Sequence, residues 1–200
     1  NQLFGLGLEP KEIIDYALEI HAKSQKSNGS GFDVITSYSG AKAVSCRLRY
    51  EGGYEYSQVQ LPKEIMVIAV LSNSCARTST MIERYQSAKK KHPRYFSKQS
   101  KIMKRELEVI YSSILNKDTK LILKNLATYN DLLFELDKKL QVGIFDYHHE
   151  MMELAKSMSI FYKPSGAGGG DLGLIVCDDN AKINLICETL DVKGINFFEI

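Results

Sequence analysis

The chain has 200 residues, 44% hydrophobic and 25% charged, an ordinary globular balance that excludes a disordered or fibrous polypeptide and gives enough length for one large domain or one and a part. Its 26 Lys and Arg stand against 24 Asp and Glu, for a formal charge of +2; the basic cluster over 89–105 is offset by Glu106, Glu108 and later acids, so nucleic acid is not an expected partner. No apolar run approaches the roughly 18 residues of a membrane span, so a membrane is not expected either.

The chain opens on NQLFGLGLEP, without an initiator Met and without the charged-then-apolar order of a signal peptide, and reads as if cut from something longer. From Pro10 to Gln25 the residues Ile13, Ile14, Ala17, Leu18 and Ile20 recur at helical spacing, and Pro10 suits a first helical turn. SNGSG at 27–31 breaks that helix, and 32–40 reads as a second short one. Alternation over 43–50 and 54–61 predicts two strands around a turn at Gly52 and Gly53. IMVIAVL at 65–71 is a β-branched run expected as a buried strand.

A polar turn, SNSCARTST at 72–80, leads into a helix reaching Lys91, and Pro93 opens a long helical stretch over 95–115. Helical periodicity returns over 119–136 and 145–157. The tail reads as a strand at 172–177, a helix at 181–190 and a last strand at 195–200. Helices on one side of a largely antiparallel sheet, an α+β fold, is the economical assembly.

Four cysteines, Cys46, Cys75, Cys177 and Cys187, are widely spaced with no CxxC pair, which argues against zinc or redox work and fits a reducing cytoplasm. His21, His148 and His149 have no metal-ligand spacing, so they are expected on the surface or on helix faces, and no metal site is identified in the chain.

The segment with the most chemical content is KPSGAGGGDLG, Lys163 to Gly173. It is not a dinucleotide fingerprint, because a strand rather than a helix follows it, and it is not a P-loop, because Asp171 stands where the Lys would be. What remains is a loop between two strands or between strand and helix. Glycine loses the most chain entropy on ordering, so four nearly together imply close backbone approach or positive φ. Such a loop presents N–H groups to an anion or lies tightly against a neighbouring phosphate loop; the bland alternative is a solvated hairpin tip. A second cluster, NGSGFD at 28–33, sets small residues before a carboxylate at a helix start. Asp33 there is either a helix cap or a carboxylate that orients a substrate hydroxyl.

Together, NGSGFDVITSYSGAKAV and KPSGAGGGDLGLIV resemble two motifs of the GHMP kinases, in the family's order, and within it they are most similar to the phosphomevalonate kinases. The resemblance implies a GHMP-kinase-type two-domain α+β fold. Residues 1–62 would be the back half of the amino-terminal domain, and 63–200 a carboxy-terminal domain with a ferredoxin-like sheet and added helices. It implies ATP-dependent phosphoryl transfer to a small metabolite, above all phosphomevalonate, with ATP and Mg²⁺ as cofactors. By position, Asp33 matches the catalytic carboxylate, and Gly29, Ser30 and Gly31 the turn that positions it. Ser165, Gly166, Ala167, Gly168, Gly169, Gly170 and Asp171 match the glycine motif beside the phosphates. Arg77, Ser79 and Thr80 match more loosely a turn that contacts substrate or phosphate.

The family's earlier loop of PxxxGLGSS type, which holds ATP phosphates at a helix N-terminus, has no counterpart in these residues, since GLG at 5–7 lacks the serines. Most Mg²⁺ ligands are expected in that region, and these 200 residues alone are expected to turn over little. Mevalonate kinase, another sugar or alcohol kinase, and a sensor that keeps the fold without turnover are the alternatives. Diphosphomevalonate decarboxylase fits less well, because its serine-rich motif around the catalytic Asp is absent.

Overall fold

Two compact units, Asn1–Gln60 and Leu61–Ile200, divide the chain. The structure, a computed structural model, describes residues 7–25, 30–40, 43–48, 53–72, 74 and 77–200, so Gly29, Gly52 and Cys75 lie outside the described residues.

The first unit contains helices α1 (Pro10–Gln25) and α2 (Phe32–Ser39) and the strands β1 (Val44–Leu48) and β2 (Tyr54–Gln58). Pro10 opens α1, where its missing N–H would have had no partner. The Glu12 carboxylate accepts from the Glu9 amide at 2.8 Å, taking up another early donor. Helix α2 is bounded by Gly31 and Gly40, both left-handed, and is anchored by the fully buried Ile35. Strands β1 and β2 pair antiparallel, Val44 opposite Gln58 and Leu48 opposite Tyr54.

The second unit is built on a four-stranded sheet, with β3 (Met66–Leu71), β4 (Phe161–Pro164), β5 (Leu172–Cys177) and β6 (Phe197–Glu199) in the order β4-β5-β3-β6. All its pairings are antiparallel. Four helices connect β3 to β4: α3 (Thr78–Lys91), α4 (Pro93–Leu115), α5 (Thr119–Leu140) and α6 (His149–Ser157). The glycine loop joins β4 to β5, and α7 (Asn180–Lys193) joins β5 to β6. This order and connectivity are those of a ferredoxin-like sheet with inserted helices, the α+β arrangement expected. Asp118 and Asp179 cap α5 and α7, accepting from Leu121 at 3.0 Å and Ala181 at 2.9 Å.

One core lies against a single face of the sheet. Ile68, Ile175 and Tyr162 stand opposite one another across three strands, and with Val70 and Cys177 they meet Met151 and Ala155 of α6 and Ile183, Ile186 and Leu190 of α7. Each fully buried aliphatic side chain there is worth about 1.5–3 kcal/mol. A second cluster, Met81, Ala88, Phe96, Leu136, Leu140 and Val142, joins α3, α4 and α5 and receives Ala167 of the glycine loop.

Two elements differ from the sequence expectation. Strand β4 was not expected; it is an edge strand, where Pro164 is tolerated because no neighbour needs its N–H. Helix α6 begins at His149 rather than at 145, because the Phe145 amide is held by the Asp137 carboxylate at 3.0 Å and Tyr147 takes a left-handed φ of 65°. Helices α5 and α7 run slightly beyond their expected ends, to Leu140 and Lys193.

Candidate functional site

Lys163 and Pro164 end β4, and the loop that follows is bound to its own unit on several sides. The Ser165 amide donates to the Leu172 carbonyl at 2.8 Å, which closes the hairpin. The Gly169 amide donates to the Ile144 carbonyl and the Asp171 amide to the Ser74 carbonyl, each at 2.8 Å, while the Asp171 carbonyl accepts from Ser72 at 2.7 Å.

The glycines follow from these contacts. A Cβ at Gly168 would stand 2.6 Å from the Ile144 carbonyl oxygen and 2.8 Å from its Cα. One at Gly169 would meet Met81 Sδ at 2.9 Å, and one at Gly170 the Ser74 carbonyl oxygen at 3.0 Å. All three residues are buried, with φ of +77°, +75° and +127°. The solvated-tip reading therefore describes only Gly166, which is exposed, with nothing within 4 Å of where its Cβ would be. The Gly169 and Asp171 amides are committed to the protein. Among the described residues the amides of Gly166, Ala167, Gly168 and Gly170 have no acceptor, so an anion would meet the loop there.

The wall behind the loop is held by a residue that sequence reading missed. Asp137, buried near the end of α5, accepts from the Gly143 amide at 2.8 Å with one carboxylate oxygen and from the Phe145 amide at 3.0 Å with the other. It thereby fixes Ile144, against which Gly168 and Gly169 pack. Within the helical run 119–136, extended by one turn, it looks like any solvated acid.

The structure brings the loop together with the turn before α3. Ser74 touches Gly170 and Asp171, and Met81 in the first turn of α3 touches Gly169. Arg77 precedes α3 in an extended conformation and caps nothing with its side chain; Arg77 and Thr80 are exposed and Ser79 is half-buried. The first turn of a 14-residue helix thus lies beside the loop, a setting that favours negative charge, with Arg77 exposed at that helix's start.

His148 is not on the surface but wholly buried, whereas His149 is exposed. Its Nδ1 lies 2.8 Å from the Tyr162 hydroxyl, and Nε2 has no partner among the described residues. Burial pushes the Tyr162 phenol up, so it stays protonated, and one proton is shared between its hydroxyl and Nδ1 in a direction set by the imidazole tautomer. The Tyr162 ring lies over Gly173, where a Cβ would collide with the hydroxyl.

Burial also holds the His148 imidazole below its ordinary value, His149 and Lys163 add to that, and the Gly170 backbone opposes it. The folded state thus resists a proton that the unfolded chain accepts. Stability is full above the ordinary histidine value of about 6.5 and declines as pH falls through it toward the lower folded value. The denaturant midpoint is expected to drop between pH 8 and pH 5.5, and His148→Gln to flatten that drop. A decline equally steep in the variant would assign it to other groups.

In the first unit, Asp33 is the second residue of α2 rather than its cap, a position held by Gly31. Its carboxylate meets His21 of α1, Oδ2 to Nε2 at 3.3 Å, and it lies in the first turn of its helix, where a negative charge is stabilised. Ser30 is exposed beside it. Gly31 is buried with φ +69°, and a Cβ there would run into Leu18 Cδ2 and stand 3.0 Å from the Tyr54 hydroxyl. Glycine is required at this turn on both counts. Sequence reading missed the His21–Asp33 contact, since the residues are on different helices.

Among the described residues there is no group of three or more His, Cys, Asp or Glu side chains placed to hold a metal ion. No helix among them is long and apolar enough to cross a membrane.

No protein-family model matches the sequence, and no curated protein matches it. Solved structures do. Mevalonate kinase from L. major, in complex with R-mevalonate, aligns with a TM-score of 0.77 at 14% identity over 98% of this chain and 59% of that one. Phosphomevalonate kinase from Streptococcus pneumoniae, in complex with phosphomevalonate and AMPPNP, aligns with a TM-score of 0.76 at 17% identity over 100% of this chain and 64% of that one. The fold is that of the GHMP kinases. The Lin0012 protein from Listeria innocua also aligns, at TM-score 0.66 and 18% identity, over 72% of this chain and 41% of that one. The chain thus spans less than two thirds of the length of each of these structures.

Proposed function

We propose that the protein is a GHMP-type kinase that transfers the γ-phosphoryl group of ATP to a small acidic metabolite, phosphomevalonate, giving diphosphomevalonate. The observation that carries this reading is the glycine loop. Its three buried positive-φ glycines lie against Ile144, Met81 of α3 and Ser74 before α3, in a fold shared with kinases solved with mevalonate and with phosphomevalonate plus an ATP analogue. The wording of both motifs favours phosphomevalonate over mevalonate.

In this reading Asn1–Gln60 is the back half of an amino-terminal kinase domain and Leu61–Ile200 the carboxy-terminal domain. Two phosphate-bearing reactants repel, so donors must offset their charge. The amides at Gly166 to Gly168 that have no acceptor among the described residues, the first turn of α3 with Ser79 and Thr80, and Arg77 supply such donors. Asp33 aligns the acceptor oxygen, and Ser30 and Gly31 hold the turn that places it. Mg²⁺, when bound with ATP, would supply further charge neutralisation. The free thiols Cys46, Cys177 and Cys187 fit a cytoplasmic protein.

A coupled ADP-release assay on the full-length protein with phosphomevalonate, mevalonate and galactose tests the reading. ADP release is expected to be fastest with phosphomevalonate. A preference for mevalonate or galactose would move the protein to a sister activity, and no release with any acceptor would make it a non-catalytic member of the fold. Residues 1–200 alone are expected to turn over little, and appreciable ADP release from them would remove the proposed dependence on a PxxxGLGSS-type loop.

A further inference from the structure

Helix α1 brings to Asp33 a side chain with no role assigned above. His21 lies in the last part of α1, its Nε2 3.3 Å from Asp33 Oδ2. The approach of the two helices makes this contact. Gly31 turns the chain against Leu18, three residues before His21 and on the same helix face, and leaves no room for a side chain between them. Tyr54 closes the turn from β2, its ring edge-on to Phe32 at 6.2 Å and its hydroxyl over Gly31. The Asp33 carboxylate also sits in the first turn of α2, the helix end that favours a negative charge.

The two partners are unequally exposed. His21 is 25% exposed and held by its surroundings, whereas Asp33 is 63% exposed and open to a ligand. An exposed carboxylate with nothing at either oxygen samples several rotamers, and orientation losses of this kind reach about 100-fold in rate. A donor at Oδ2 selects one rotamer and leaves the other oxygen to the acceptor. We propose that His21 is a positioning residue for Asp33, fixing the carboxylate in the orientation that aligns the phosphoryl acceptor. This rests on the kinase reading given above.

The test is kcat and KM for the acceptor in the full-length protein carrying His21→Ala or His21→Gln, each with Asp33 intact and with Asp33→Asn. With Asp33 intact, His21→Ala is expected to lower kcat about 10- to 100-fold with little change in KM. His21→Gln, which keeps an N–H donor, is expected to recover most of the loss, which a general packing defect would not allow. In the Asp33→Asn background, His21→Ala is expected to have no further effect. Wild-type kcat in His21→Ala, or losses that multiply in the double variant, would overturn the proposal. Wild-type kcat in Asp33→Asn alone would instead overturn the role of Asp33 itself, so the two failures are distinguishable. Should His21→Ala fold poorly, His21→Gln and its double variant carry the same comparison.

Discussion

Asp33→Asn in the full-length protein is expected to lower kcat for phosphoryl transfer by about 100- to 10,000-fold. The change keeps size and shape and removes the charge that would align the acceptor and accept its proton. Asp33 is 63% exposed, and its contact with His21 lies at the surface, so little stability depends on it. Thermal unfolding of the variant should therefore fall within about 3 °C of wild type, from a surface-level change in stability. A rate within twofold of wild type would remove Asp33 from the machinery. A loss of rate accompanied by a large loss of stability would show that the residue serves the fold.

Gly168→Ala is expected to be strongly destabilising in the second unit. Its Cβ would meet backbone, the Ile144 carbonyl oxygen at 2.6 Å and Cα at 2.8 Å, and Asp137 holds that segment from behind. Left-handed φ adds about 1–2 kcal/mol and the collision about as much again, so a loss of about 2–4 kcal/mol is expected. Gly166→Ala is the control. Its φ of +68° is similar, but no atom lies within 4 Å, so only the conformational part, about 1 kcal/mol, is expected. Equal denaturant midpoints for the two variants would contradict the packed-loop account.

The apolar runs that became β3 and β5 were legible because both strands are central and buried, so their β-branched residues show no polar interruption. Strand β4 was not, since four residues ending in proline at a sheet edge carry almost no periodic signal. Phe145 imitates a helical position by spacing alone, and its backbone is claimed by Asp137 instead. The glycine run announced that close approach was needed, but not which backbone approached. Ser74, Met81, Ile144 and Asp137 are each ordinary in their own segments and acquire meaning only through the tertiary structure. His148 illustrates the same limit: two adjacent histidines look polar, and only the unexpected strand carrying Tyr162 draws one of them inside.

The backbone hydrogen bonds that shape the glycine loop also set when it can form. Gly169 bonds Ile144 about 25 residues away, and Asp171 bonds Ser74 about 100 residues away, so neither contact belongs to the hairpin itself. Loop-closure entropy delays such distant pairings until intervening elements have docked. The loop backbone is therefore expected to take its final shape late in folding, after α3 to α6 have packed and β3 has joined β5. The loop's geometry would thus report completed assembly, because a partly folded chain has every residue of the motif and none of its arrangement.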